Sequence, residues 1–345
     1  MTLNNRLKLI KNNSIYFFVP IFFLTLYVGK FLLLPLFFSL FIFIILKSLS
    51  KKISLIKFLN FSLNYKYCFI LVSIILIFLI YFFGVLLKSN IEKVTANTNL
   101  YQANLNIIFK FIQSSKLSLL PISFNDLIDN INFAKIFSNI LNSLTNIAGN
   151  LSLVVLYLIF LVIEEKFFIH KISKLSNNKA TKNILSKINL QIFNYFQLKT
   201  FTSFLTGILT FFTLFLFKND LAIFFGILSF ILNFIPFIGS MISILIPFIF
   251  SMIQFLDFFQ SFIVFILLFL VQIFIGNFVE PKLMGKSLNL SPIIMLITLS
   301  IMSKLWGISG MFLSIPILVI LLIIFSNFKE TKKIAVFLSE KGQIS

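Results

Sequence analysis

Residues 233–240, "NFIPFIGS", interrupt a stretch of 36 residues, Leu221–Leu256, that contains no charged side chain. As one straight helix, such a stretch would extend about 54 Å at 1.5 Å per residue. The hydrocarbon core of a bilayer is only about 30 Å thick. Asn233, Pro236, Gly239 and Ser240 sit at its centre, where Pro fixes φ and removes a donor and Gly permits positive φ. Lipid offers unpaired backbone groups no water, so irregular backbone at that depth belongs inside protein or beside a wet cavity. The break predicts a helical hairpin that dips into the membrane and returns.

Composition sets the class. Of 345 residues, 59% are hydrophobic, 11% are charged and 50 are Phe, which is the profile of an integral membrane protein rather than a soluble domain. The net charge of +19 comes from Lys residues lying between apolar runs. No basic helix with interleaved aromatics appears, so nucleic acid is not an expected partner. One cysteine, Cys68, and one histidine, His170, exclude a disulfide framework and an ordinary Cys/His metal cluster. No cofactor is expected.

The apolar runs are Ile15–Gly29, Phe31–Leu46, Cys68–Leu87, Ile147–Ile163, Phe201–Phe217, Leu221–Leu256, Phe262–Phe278 and Leu290–Phe325. They predict an all-α integral membrane protein of about eight membrane segments. Leu290–Phe325 is also too long for one upright crossing. It breaks near "KLWGISG", residues 304–310, giving a second candidate re-entrant hairpin.

Four divisions follow: residues 1–87 with three spans; an extracytoplasmic segment, 88–146; a transport core, 147–328, with a cytoplasmic loop at 164–199; and a tail, 329–345. The segment 88–146 has apolar residues at near-helical intervals and is expected to form amphipathic helices on the membrane or on partner subunits. Lysines crowd the N-terminal tail, residues 47–66, the loop 164–199 and the C-terminal tail. Positive residues favour the cytoplasmic side, so both termini are expected there, in an inner membrane. That parity requires residues 15–46 to cross twice.

Hairpins entering from opposite faces are the arrangement associated with a midplane substrate site in secondary transporters. At the first tip, the arm restarting near Ser240 could turn its N–H groups toward a solute, with Ser240 and Ser243 adding hydroxyls. At the second, Lys304 snorkels to a headgroup or meets the solute. Gln272 and Asn277 are either solute contacts or helix–helix glue. Glu280 is the ionisable candidate for coupling, or else a surface salt partner of Lys282 or Lys286. Intramembrane enzymes need paired Asp, Ser with His or Lys, or a His-rich metal set inside the spans; the only His is in a loop, no two Asp face each other at helical spacing, and the phosphate loop of an ATP-driven pump does not occur. A passive channel with an oligomeric pore stays open.

The stretches "NFIPFIGSMISILIPFI" (233–249) and "GNFVEPKLMGKSLNLSPIIMLITLSIMSKLWGISGMFLSIPILVIL" (276–321) closely resemble the signature region of the autoinducer-2 exporter (AI-2E, permease-like) family. The resemblance implies a helical inner-membrane transporter of a small solute, oligomeric, exporting a signalling molecule in some members and exchanging sodium for protons in others. The implied partners are a small solute with H+ or Na+ as coupling ion, lipid, and further copies of the chain. Carried over by position, the motif covers Asn233, Pro236, Gly239, Asn277, Glu280, Pro281, Gly285, Pro292, Gly307, Gly310 and Pro316. Where the family often has Pro and His, this chain has Ser240 and Ser291.

Overall fold

The computed structural model describes residues 21, 23–55, 64–114, 135, 138–139, 151–165, 167, 179–284, 289–340 and 342. Their secondary structure is helical apart from one isolated antiparallel bridge, Leu290 to Ser339. The helices are α1 (Lys30–Leu55), α2 (Tyr65–Ala96), α3 (Thr98–Ser114), α4 (151–165), α5 (Lys179–Leu216), α6 (Ala222–Leu232), α7 (Ile238–Phe255) and α8 (Phe258–Ile273). A π-helical segment, Phe274–Val279, then leads into α9 (Glu280–Met284), α10 (Pro292–Asn327) and α11 (Lys332–Leu338). Among the described residues, six helices are long and apolar enough to cross a membrane: Lys30–Leu55, Tyr65–Ala96, Asn183–Leu216, Ile238–Phe255, Phe258–Leu283 and Pro292–Asn327. The protein is therefore a multi-pass helical membrane protein.

The chain divides into two units, residues 1–44, 150–192 and 289–345 in one, and 45–149 with 193–288 in the other. In the second unit, α6 and α7 are the arms of a helical hairpin. Phe225 and Phe250 meet across the arms with ring centroids 5.6 Å apart, and Asn219 donates to Ser251 Oγ at 3.0 Å where the arms' open ends come together. The tip holds a γ-turn: the Ile238 N–H donates to Pro236 O at 2.6 Å, and Phe237 takes φ 60° and ψ −59°. Such a turn is rare and strained for a side chain with a Cβ. Gly239 answers a need for space, because a Cβ there would lie 1.8 Å from Leu232 O.

The segment from residue 88 onward departs from the expected surface helices. Residues 88–96 continue α2, whose apolar middle from Ile70 to Phe83 is largely exposed, as suits contact with lipid. Its C-terminal end is buried at Leu87, Asn90, Ile91 and Val94, the spacing of one helical face. α3 follows, burying Tyr101 and Leu105 with Phe250 and Ile253 of α7 in one core. An aromatic residue and a leucine one turn apart gain more from that core than from a membrane surface. Residues 115–134 lie outside the described part.

The expected loop 164–199 is also revised. Its later half belongs to α5, a single helix of 38 residues, and Lys199, read as a loop cation, is buried within it. His170 and Lys286 lie outside the described residues.

In the first unit, α10 contains a break at Gly307, where φ is 63° and ψ −143°, a region open essentially to glycine alone. A Cβ on Gly310 would lie 2.0 Å from Met302 O, so the chain turns back on the preceding arm here as well. The far ends agree, since Ser291 N–H donates to Leu338 O at 3.0 Å and Glu340 N–H to Asn289 O at 3.2 Å. A straight rod of about 54 Å would hold those ends apart. The tip is fastened by Trp306, whose Nε1 donates to Leu26 O at 2.9 Å and whose ring lies 5.4 Å from that of Phe37. Between the first two apolar runs the chain does not reverse: Gly29 donates to Thr25 O at 2.8 Å and accepts from Leu33 N at 2.9 Å, so helical bonding runs through it.

Candidate functional site

α5 carries polar side chains at Tyr195, Lys199, Thr202, Ser203, Thr206 and Thr210, all buried. Intervals of three and four set most of them on one face. Thr202 and Thr206 satisfy their hydroxyls by donating to Lys199 O at 3.1 Å and Thr202 O at 2.9 Å. The face is thereby made polar without breaking the helix. α6 crosses α5 at two glycines, where a Cβ on Gly207 would lie 2.8 Å from Gly226 O. That close approach brings Asn233, at the end of α6, to Ser203, and its Nδ2 donates to Ser203 Oγ at 3.1 Å.

One turn away on α5, Lys199 Nζ donates to Glu280 Oε1 at 2.6 Å. The Lys199 side chain is 7% exposed and that of Glu280 21%. A buried charge is tolerable only with a partner of this kind. The pair therefore holds α5 to the junction between the π-helical segment and α9. Glu280 N–H itself donates to Ile275 O, five residues back, and π segments are rare and frequent at functional sites. On the same face, Tyr195 is 3% exposed and its hydroxyl has no partner among the described residues; Ser229 Oγ on α6 is likewise buried without one among them. Lys52 closes the neighbourhood, donating to Gln197 Oε1 at 2.7 Å with its Nζ 4.7 Å from the centre of the Phe193 ring.

The structure sorts the residues singled out from sequence. Asn233 and Glu280 join the polar face of α5. Gln272 bonds Ser243 Oγ at 2.7 Å, linking α8 to α7, while Asn277 is exposed. Pro236 and Gly239 build the turn. Ser240 donates to Phe237 O at 2.8 Å and Ser243 to Ser240 O at 2.9 Å. The N–H groups of Ile238, Gly239 and Met241 are bonded to Pro236 O, Ile235 O and Phe237 O. Those donors are occupied by the turn itself rather than open to a solute. Lys304, Gly307 and Gly310 belong to the other unit, with Lys304 exposed. Lys282 is exposed and does not take the role of partner to Glu280.

Sequence reading missed Lys199 and Tyr195. The available signal was the recurrence of polar residues every three or four positions from Tyr195 to Thr210, which a reading centred on the apolar run from Phe201 cuts short.

The chain is thus a multi-pass helical membrane protein with a buried, ion-paired polar face beside a helical hairpin. Comparison with known proteins supplies the family. The family described as AI-2E family transporter matches residues 16–330. The chain is 32% identical over 239 residues to a Borreliella burgdorferi protein named "Putative transport protein", covering 66% of this chain and 65% of that one. It is 28% identical over 210 residues to the "AI-2 transport protein TqsA" of Escherichia coli K12, covering 59% and 60%. The matched regions thus span less than two thirds of either relative. The chain belongs to the AI-2E transporter family.

Proposed function

We propose that this protein is a secondary transporter that moves a small solute across the inner membrane, with H+ or Na+ as the coupling ion. The observation that carries this reading is the Lys199–Glu280 pair, 2.6 Å across and set on a buried polar face. Ionisable residues inside a membrane protein are costly, pair with one another and mark solute or ion paths. When the pair opens, Glu280 can take up an ion and Lys199 a solute group, and closing it releases both. The hairpin α6–α7 and the reversal in α10 act as re-entrant elements that enter from opposite faces, in keeping with the lengths of their arms. Oligomerisation and cytoplasmic termini complete the reading; the Lys-rich tails support the latter.

Cells with and without the protein are compared for every small solute they release, and the solute found is loaded into vesicles. Counterflow, and acceleration by an imposed proton or sodium gradient that Glu280→Gln abolishes, is the expected result. Flux without saturation or counterflow would make the protein a passive pore.

A further inference from the structure

Tyr195 poses a problem of its own. Its side chain is buried, its ring packs edge-on against Phe196 with centroids 5.3 Å apart, and among the described residues its hydroxyl has no hydrogen-bond partner. A buried hydroxyl left unpaired loses its solvation with no return, and phenylalanine would fill the same space without that loss. Lys199 stands four residues later on the same helix, so the two side chains are neighbours on one face. Lys199 holds the Glu280 carboxylate at 2.6 Å, which brings that carboxylate to the face of α5 that carries Tyr195. Glu280 follows directly on the π-helical segment Phe274–Val279. Moving that segment by one residue in register turns the next side chain by about 100° around the helix axis.

We propose that Tyr195 is the alternate partner of Glu280: when the Lys199 pair opens, the Tyr195 hydroxyl donates to the Glu280 carboxylate one turn along α5, and the π-helical segment supplies the slack for the exchange. This extends the reading of Glu280 as the coupling residue. The carboxylate passes from a cation to a neutral donor, so it remains hydrogen-bonded while Lys199 becomes free to meet a solute. The unpaired hydroxyl is the vacant half of a two-position switch. Tyr195 is a positioning residue, acting through Glu280.

The test is a thermal double-mutant cycle on the purified full chain. With Lys199 present, Tyr195→Phe is expected to leave Tm unchanged or raise it, since the hydroxyl is unpaired. With Lys199→Met, the hydroxyl should hold Glu280, and adding Tyr195→Phe should lower Tm by roughly 2–4 °C. With Glu280→Gln the effect of Tyr195→Phe should again be neutral. Lys199→Gln provides a second background if Lys199→Met does not accumulate as folded protein. A Tyr195→Phe shift of the same sign and size with and without Lys199 overturns the proposal. The cycle is independent of transport. Reversal of sign together with intact gradient-driven movement in Glu280→Gln would retire the coupling reading and leave the partner exchange standing.

Discussion

Lys199 Nζ and Glu280 Oε1, 2.6 Å apart, join residues 81 positions apart in the chain. Removing one partner strands the other, and for a buried pair that costs about 3–5 kcal/mol. Because Glu280 keeps some solvent contact, Glu280→Gln and Lys199→Met are each expected near the lower end of that range. Lys199→Met/Glu280→Met should recover most of the loss. Thermal unfolding in detergent measures all three, and a double variant no better than the singles would contradict the pairing.

Two glycines should fail for different reasons. Gly239→Ala places a methyl 1.8 Å from Leu232 O, a main-chain atom that cannot swing aside, so the hairpin must open or the chain must fail to accumulate. Gly307→Ala meets no atom within 4 Å, yet its φ of 63° with ψ of −143° costs an alanine about 1–3 kcal/mol. Gly307→Ala is therefore expected to fold with lowered Tm, and Gly239→Ala to be the more severe.

Phe237 is the converse case. It holds a positive φ of 60° without being glycine, and its ring is half exposed. Phe237→Gly should relieve the strain and stabilise the hairpin by about 1 kcal/mol, read as a higher Tm. A lower Tm would mean that the ring contributes more than the turn costs.

The base of the hairpin predicts an alkaline weakness. Tyr101 donates to Asp220 Oδ2 at 2.6 Å, and burial, reinforced by that acid, holds its phenol well above the ordinary value of 10.0. A raised phenol pKa means the folded protein keeps a proton that the unfolded chain releases. The contribution is therefore intact below about pH 10 and declines as pH rises beyond it. Tyr101→Phe should flatten the loss of Tm above pH 10 while lowering Tm at neutral pH. An identical alkaline slope would remove Tyr101 from that role.

Sidedness can be settled by single cysteines placed at Lys8, Lys57 and Lys282 in a Cys68→Ser background. The Lys-rich N-terminal tail and residues 47–66 predict cytoplasmic labelling at Lys8 and Lys57, and two re-entrant hairpins predict it at Lys282. The helical bonding through Gly29 instead places Lys8 and Lys57 on opposite sides if residues 23–55 cross once. Labelling of only one of the two from the cytoplasm would favour the single crossing.

The sequence makes the two interruptions legible because length and turn chemistry are local facts: 36 apolar residues cannot stand upright in 30 Å of lipid, and Pro236, Gly239, Gly307 and Gly310 say where they bend. Glu280 could be singled out for the same reason, as a lone acid beside apolar segments. Its partner could not. Lys199 is one lysine among 28 in the chain, and only the crossing of α5 by α6 and the approach of the π segment separate it from the solvated ones. Nor could the burial of α3 be foreseen, since an amphipathic helix reads the same whether lipid or Phe250 covers its apolar side. The γ-turn at Phe237 is invisible as well, because nothing local asks phenylalanine to adopt positive φ.

Trp306 is the only tryptophan in the chain, and its indole N–H is given to Leu26 O beside the Phe37 ring. Emission excited selectively from the indole, past the absorption of the eight tyrosines, therefore originates at a single point, the reversal in α10. Any event that parts that indole from its carbonyl will announce itself as a change of colour or quenching, with no dye attached.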